Sequence, residues 1–215
     1  AHFDLADAAL AAGRHVLVEK PIAETLDQAD RLAARAAASG LVLQVGHLLR
    51  YTAEHQAITA RMRRPVYLEC VRIAPFKPRG TDVSVIMDLM IHDLDFVLSL
   101  VDSELEGVDA IGAPVASAFD DIANARLRFR NGCVASITAS RISLRTERKM
   151  RLFSQEGYMA VDFAARRLTM SGRGAGVEVP GMPDARMEQV SWEPHDALAA
   201  EHLAFVAAVL DGAPV

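Results

Sequence analysis

The chain has 215 residues, 51% of them apolar and 24% charged, with a formal charge of −5; this excludes a disordered chain, a collagen repeat and a disulfide scaffold. The mild acidity argues against nucleic acid or an anionic membrane as partner, since both need a basic face, and no apolar run approaches the roughly 18 residues of a spanning helix. Cys70 and Cys133 lie far apart in apolar strand-like runs, so they read as buried thiols of a cytoplasmic protein. In chain order, Leu5, Ala8, Ala9 and Ala12 recur at helical spacing and Gly13 ends the helix. Because Ala1 already reads as mid-helix, a piece of a longer protein is expected.

His15 to Glu19 is a short apolar run without alternation, the pattern of a strand buried on both faces of a parallel sheet. Thr25 with Gln28 forms a capping-box pattern for a helix that carries Leu26, Ala29, Ala33 and Ala36 along one side and ends at Gly40. Leu41 to Val45 follows as another strand. Helix, strand, helix, strand with short links is the grammar of a doubly wound α/β sheet, where ligands sit beyond the carboxyl ends of the strands. Glu19-Lys20-Pro21 and Gly46-His47-Leu48 fall there. Only Lys20, Lys77 and Lys149 among the 23 basic residues are lysines, and Pro21 restricts the backbone of Lys20. A solvated loop lysine and a functional one are evenly matched readings.

From Pro65 the pattern changes to α+β. Strands are expected at 67–73, 108–115, 124–130, 133–141, 150–155 and 159–163. Ala125, Leu127 and Phe129 alternate with Asn124, Arg126, Arg128 and Arg130, so one face is buried and one polar. Asn131-Gly132 is a hairpin signal. The expectation is an antiparallel, open-faced sheet whose arginine-rich face is either solvated or an oligomer interface.

A helix is expected from about 83 to 101. Met90, Leu94, Val97 and Val101 form the stripe that lies on the sheet, and Asp88, His92, Asp95 and Ser99 form the opposite one. Apolar flanks at Leu89, Phe96 and Leu100 on one side and Ile91 and Leu98 on the other suggest burial between two layers, where a polar stripe is costly unless paired or used. Three readings stay open: a histidine held by carboxylates for packing, a divalent metal site, or a catalytic acid/base tuned by its carboxylates. The remaining histidines form no recognisable second ligand pair.

Taken in order and spacing, Glu19-Lys20-Pro21, the Gly46 segment, and a sheet preceded by Asp88-x3-His92-x2-Asp95 resemble the Gfo/Idh/MocA family of nicotinamide-dependent oxidoreductases. Within it, Val45 to Tyr51, Pro75 to Asp82 and Asp88 to Asp93 look like the enzymes described as UDP-N-acetylglucosamine 3-dehydrogenases. The resemblance implies that residues 1–50 are the carboxyl-terminal portion of a Rossmann dinucleotide-binding domain. Residues 51–215 are then a substrate and oligomerisation domain, through whose open sheet face a homodimer or homotetramer forms.

It also implies hydride transfer between a sugar hydroxyl, in a nucleotide-sugar, and NAD or NADP. Lys20 and His92 are then the acid/base pair, Asp88 and Asp95 orient the sugar or the histidine, and Glu19, Lys20 and Pro21 line the nicotinamide ribose. Lys77 and Arg79, in a loop that leads into the His92 helix, are expected to meet the diphosphate, with Arg50 a further candidate. The sequence departs from the family in one respect. A Gly-x-Gly-x-x-Gly turn and the acidic residue that follows it are not among these residues, and Gly172 to Gly176 opens no helix and reads as a loop. Alternatives are an inactive fragment, a non-enzymatic module for sugar binding or oligomerisation, or an enzyme acting on a free sugar or inositol; a metal-dependent hydrolase is the least favoured.

Overall fold

The computed structural model describes residues 2–78, 80–155, 157–172, 177–180, 182–193 and 195–214. Its contacts divide the chain into two units, residues 1–52 with 195–215, and residues 53–194.

In the first unit α1 (His2–Ala11) leads into β1 (Val16–Glu19), and α2 (Leu26–Ala38) into β2 (Leu43–Gly46). The strands pair in parallel, Val16 opposite Leu43 and Glu19 opposite Gly46. Thr25 caps α2, its Oγ1 accepting the Gln28 N–H at 3.3 Å, while the Gln28 amide oxygen accepts the N–H of Glu24 at 3.2 Å and not that of Thr25.

The helix faces differ from the sequence expectation. Ala6 and Leu10 meet Leu32 and Ala36, whereas Leu5 and Leu26 are 72% and 82% exposed. In helices this rich in alanine the small residues fit several phases, and the large Leu10 and Leu32 decide because they remove most apolar area from water. β1 is buried at Val18 but only half-buried at Val16 and Leu17.

A 3₁₀ turn at Leu48–Tyr51 ends this stretch. The second unit begins with α3 (Ala53–Thr59) and β3 (Tyr67–Ile73); a π-helical stretch at Ile86–Met90 then runs into α4 (Ile91–Leu100). After them come β4 (Leu105–Ala113), β5 (Ile122–Phe129), β6 (Val134–Ser140), β7 (Glu147–Ser154), β8 (Gly157–Asp162), β9 (Arg167–Gly172), β10 (Val177–Val179) and β11 (Met182–Ser191). They form one nine-stranded sheet in the order β10-β11-β9-β8-β7-β3-β6-β5-β4.

As expected, the sheet is antiparallel, at every described pairing but one. β3 runs parallel to β6, from Tyr67 opposite Val134 to Ile73 opposite Ser140, and antiparallel to β7. The segment holding α4 carries the chain from β3 out to edge strand β4. The β4-β5-β6 meander then returns to the free side of β3, so β6 arrives pointing the same way. Gly132, at φ +85°, supplies the left-handed turn residue between β5 and β6. β9, β10 and β11 have no counterpart in the sequence expectation, and of the Gly172 to Gly176 run residues 173–176 lie outside the described residues.

One sheet face carries Leu68, Ile137, Leu152 and Leu168, each 0% exposed, and with the well-buried Met90, Phe96, Val97 and Val101 they make the core of this unit. Leu98 is 50% exposed, so α4 is covered on the sheet side and open on another, not buried all round. The chain returns to the first unit through α5 (Ala197–Asp211), capped by Asp196, whose carboxylate accepts the Ala199 N–H. The division falls after Thr52, and α5 groups with the first unit.

Candidate functional site

In the first unit the site residues stand at the carboxyl ends of β1 and β2. Glu19 is exposed, Lys20 and Pro21 half-buried, and the bond joining Lys20 to Pro21 is cis. Opposite them is Gly46. A Cβ there would lie 3.2 Å from Glu19 Oε2 and 3.3 Å from Glu19 Cα, so the bare backbone of Gly46 is what lets the Glu19 carboxylate lie over it. Arg50 is exposed on the 3₁₀ turn. Behind the turn, the amide of buried Gln44 donates to Tyr51 Oη at 3.0 Å, and the His195 ring meets the Tyr51 carbonyl at 2.6 Å. Glu201, on α5, is 1% exposed; burial and the negative charge of Glu19 push its carboxyl above the usual range, against a smaller opposing pull from His202.

In the second unit the head of α4 holds the expected stripe only in part. Asp88 sits in the π-helical stretch, whose wider turn breaks the even 100° spacing assumed from the sequence. Asp88 and His92 are half-buried, and Asp95 is 7% exposed. Ser99, at the far end of the stripe, meets α3: its Oγ lies 3.0 Å from the His55 ring and donates to the Phe96 carbonyl at 2.7 Å. Lys77 is exposed in the segment after β3, and Arg79 lies outside the described residues.

Next to His92, Asp93 is the deepest acid of the helix at 3% exposed. Arg72 binds it with both arms of its fork, at 2.6 and 2.8 Å. Across the strand pair from Arg72 stands Arg148, 4.3 Å from the centre of the Phe163 ring and 3.8 Å from Glu54. Burial and the neighbouring Arg72 lower its pKa to about 10, in spite of Asp93 and Glu54. Cys70 and Cys133 are buried; desolvation raises both thiols, Cys133 to about 11. Among the described residues no three His, Cys, Asp or Glu side chains gather as metal ligands do, and no helix is long and apolar enough to cross a membrane.

Residues 1–47 match the family described as "Oxidoreductase family, NAD-binding Rossmann fold", and residues 54–160 match "GFO/IDH/MocA C-terminal domain". The UDP-N-acetylglucosamine 3-dehydrogenase of Acidithiobacillus ferrooxidans is 44% identical over 218 aligned residues, which span all of this chain and 68% of that protein. The chain belongs to the Gfo/Idh/MocA oxidoreductase family. A solved structure of that dehydrogenase superposes with a TM-score of 0.90 at 43% identity, covering the whole of this chain and 68% of the other. The 1,5-anhydro-D-fructose reductase of Ensifer adhaerens is 30% identical over 60% of this chain and 44% of its own length. An Agrobacterium radiobacter oxidoreductase solved with NAD+, L-tartaric acid and magnesium shares the fold at a TM-score of 0.84 and 18% identity, over 100% of this chain and 68% of the other. The chain thus spans about two thirds of the length of the first relative and under half of the second.

Membership of this family brings a nicotinamide cofactor, and the residues present fit one end of it. A carboxylate lying over a glycine at the strand ends, beside a lysine, offers acceptors for ribose hydroxyls and a close backbone approach. A glycine-rich turn for the pyrophosphate is not among the 215 residues.

The sequence reading groups Arg72 with Lys77 and Arg79 and misses its pairing with Asp93, as it misses Arg148 and Glu201. Glu201 carried a signal, as the one acid between Asp196 and Asp211 in a helix that is apolar there apart from His202. Arg72 and Asp93 lie 21 residues apart and carried none, because sheet and helix bring them together.

Proposed function

We propose that the protein oxidises a hydroxyl of a nucleotide-sugar, with the C3 hydroxyl of UDP-N-acetylglucosamine as the leading candidate, and passes the hydride to NAD or NADP. The observation that carries the reading is the placing of Glu19, Lys20, Pro21 and Gly46 side by side at the carboxyl ends of a parallel strand pair, where an α/β sheet binds its ligand. The nucleotide-sugar class rests on the whole-chain likeness to a UDP-N-acetylglucosamine 3-dehydrogenase.

A bound nicotinamide ring supplies the hydride acceptor. The carbinol must also lose a proton, and Lys20 Nζ and the His92 ring are the groups assigned to take it and pass it on. Asp88 and Asp95 orient the sugar or the imidazole. Glu19, Lys20 and Pro21 hold the nicotinamide ribose, while Lys77, Arg79 and Arg50 neutralise the diphosphate. In this reading residues 1–50 form part of the dinucleotide-binding domain and the sheet unit the substrate domain. The protein is cytoplasmic, and copies associate through the sheet face that carries Arg126 and Arg128.

A panel of UDP-sugars, free sugars and inositol, offered with oxidised cofactor to the protein expressed from its whole coding sequence, tests the substrate class. Oxidation of a UDP-N-acetylhexosamine alone is expected; oxidation of inositol or a free sugar in its place overturns the assignment.

A further inference from the structure

One buried ion pair of the second unit lies outside the roles assigned so far. Arg141, just after β6, is 5% exposed and Asp121 is 0% exposed. Arg141 Nε donates to Asp121 Oδ1 at 2.7 Å. The other oxygen of Asp121 accepts three backbone N–H groups, from Val115, Ala116 and Ser117, at 2.6 to 2.8 Å, and Ser117 Oγ donates to Oδ1 at 2.8 Å. The pair is therefore closed on the acid side. Burial alone would raise the Asp121 pKa, but these donors together with Arg141 hold it far below the usual carboxylate range, so at neutral pH it is a fixed anion that orients the guanidinium.

The arms of Arg141 reach elsewhere. Nη1 donates to the carbonyls of Gly80 and Val83 at 2.6 and 2.8 Å. Nη2 donates to Ser117 Oγ at 3.1 Å and to the Asp120 carbonyl at 3.3 Å. The Asp120 carbonyl also accepts the Val85 N–H at 2.8 Å, and Ser84 Oγ accepts the Ile86 N–H at 3.2 Å. The start of the π-helical stretch is thus fastened from two sides. Gly80 sits at φ +74°, and a Cβ on it would lie 3.4 Å from Asp88 Oδ2. The carbonyl that Arg141 grips therefore belongs to the residue against which Asp88 packs.

We propose that Arg141 is the positioning residue of the substrate-facing end of the sheet unit: held by Asp121, it fixes the 80–83 loop and with it Asp88 and the head of the helix bearing His92. This rests on the functional reading above. A planar fork that serves three carbonyls and a carboxylate at once is a role an ammonium cannot fill. A shift of about 1 Å in a positioning group is enough to lose much of its effect on a reaction.

Arg141→Lys keeps the charge and removes the fork. In this variant, backbone amides of residues 85–90 are expected to exchange hydrogen about tenfold faster, while those of β5 and β6 change by less than about threefold. With the UDP-sugar, kcat is expected to fall about tenfold, because His92 loses its place, and KM to rise about tenfold through Asp88. Where Arg141→Lys does not fold, Ser117→Ala, which removes a single oxygen of the cluster, is expected to show the same localised acceleration at about threefold. Exchange unchanged at 85–90, or accelerated equally through β5 and β6, overturns the proposal, as do kcat and KM that both match the parent. The exchange arm needs no substrate, so a protein that turned over no nucleotide-sugar would defeat the functional reading and leave the test of Arg141 intact.

Discussion

Arg72 and Asp93 are 14% and 5% exposed at their side chains and share a two-armed contact, so removing either partner strands the other charge in the protein interior. Such a loss costs about 3–5 kcal/mol, whereas replacing both partners by apolar groups is often neutral. Arg72→Ala is accordingly expected to lower the unfolding free energy in urea by about 3 kcal/mol, and the double change Arg72→Met with Asp93→Leu to recover most of it. A single variant as stable as the parent would show that the pair contributes little. Gly46 makes a sharper statement about function. In Gly46→Ala the new methyl presses on the Glu19 carboxylate and backbone, so KM for NAD is expected to rise about tenfold in steady-state assays while the melting temperature changes little; an unaltered KM removes Glu19 from the ribose site. At this scale the sequence marked Lys20 and His92 as candidates, one by the rarity of lysine and the other by its flanking acids. Asp93 stayed hidden because an even helical spacing selected Asp88, His92 and Asp95, and its partner comes from a strand.

Among elements, α5 carries one acid ahead of its last residue, Asp211, and this acid stands beside His202 in a helix otherwise built of alanine, leucine, valine and phenylalanine. Glu201 is buried, and burial and Glu19 favour its protonated form in the folded chain. A carboxyl raised on folding binds its proton more tightly in the native state than in the unfolded one. Its contribution is therefore fully present below the unfolded value of about 4.3 and is lost as pH rises through the folded value. Glu201→Gln removes that loss. Melting temperatures followed against pH are expected to show the variant ahead of the parent at pH 7, with the gap closing toward about pH 4; a variant less stable at pH 7 would mean that the ionised carboxylate has a stabilising partner. The elements themselves were legible where pattern was strong, as in β5 with its Asn131-Gly132 turn. They were not legible where pattern was weak. Alanine-rich α1 admitted the wrong buried face and α2 a face of which only Ala36 is buried, the π-helical stretch at Ile86–Met90 interrupted a helix read as continuous, and β9 to β11 lack a clean apolar alternation.

For the molecule as a whole, the sequence signalled the two kinds of architecture, a helix-and-strand crossover first and a sheet-rich unit after it, because hydrophobic period differs between them. The order of strands was not signalled. That β6 lies parallel to β3, and that α5 belongs with residues 1–52, follow from long-range pairing that no local pattern encodes. The proposed function asks that a parallel strand pair present Glu19 and Lys20 to a cofactor, and that the sheet unit present His92 to a sugar. The most direct test is reduction of NAD, followed by its absorbance, when UDP-N-acetylglucosamine is added to the protein expressed from its whole coding sequence, compared with Lys20→Ala and His92→Ala. Turnover by the parent, and its loss by at least about a hundredfold in both folded variants, is the expected result. Turnover in both variants at the rate of the parent would contradict the account.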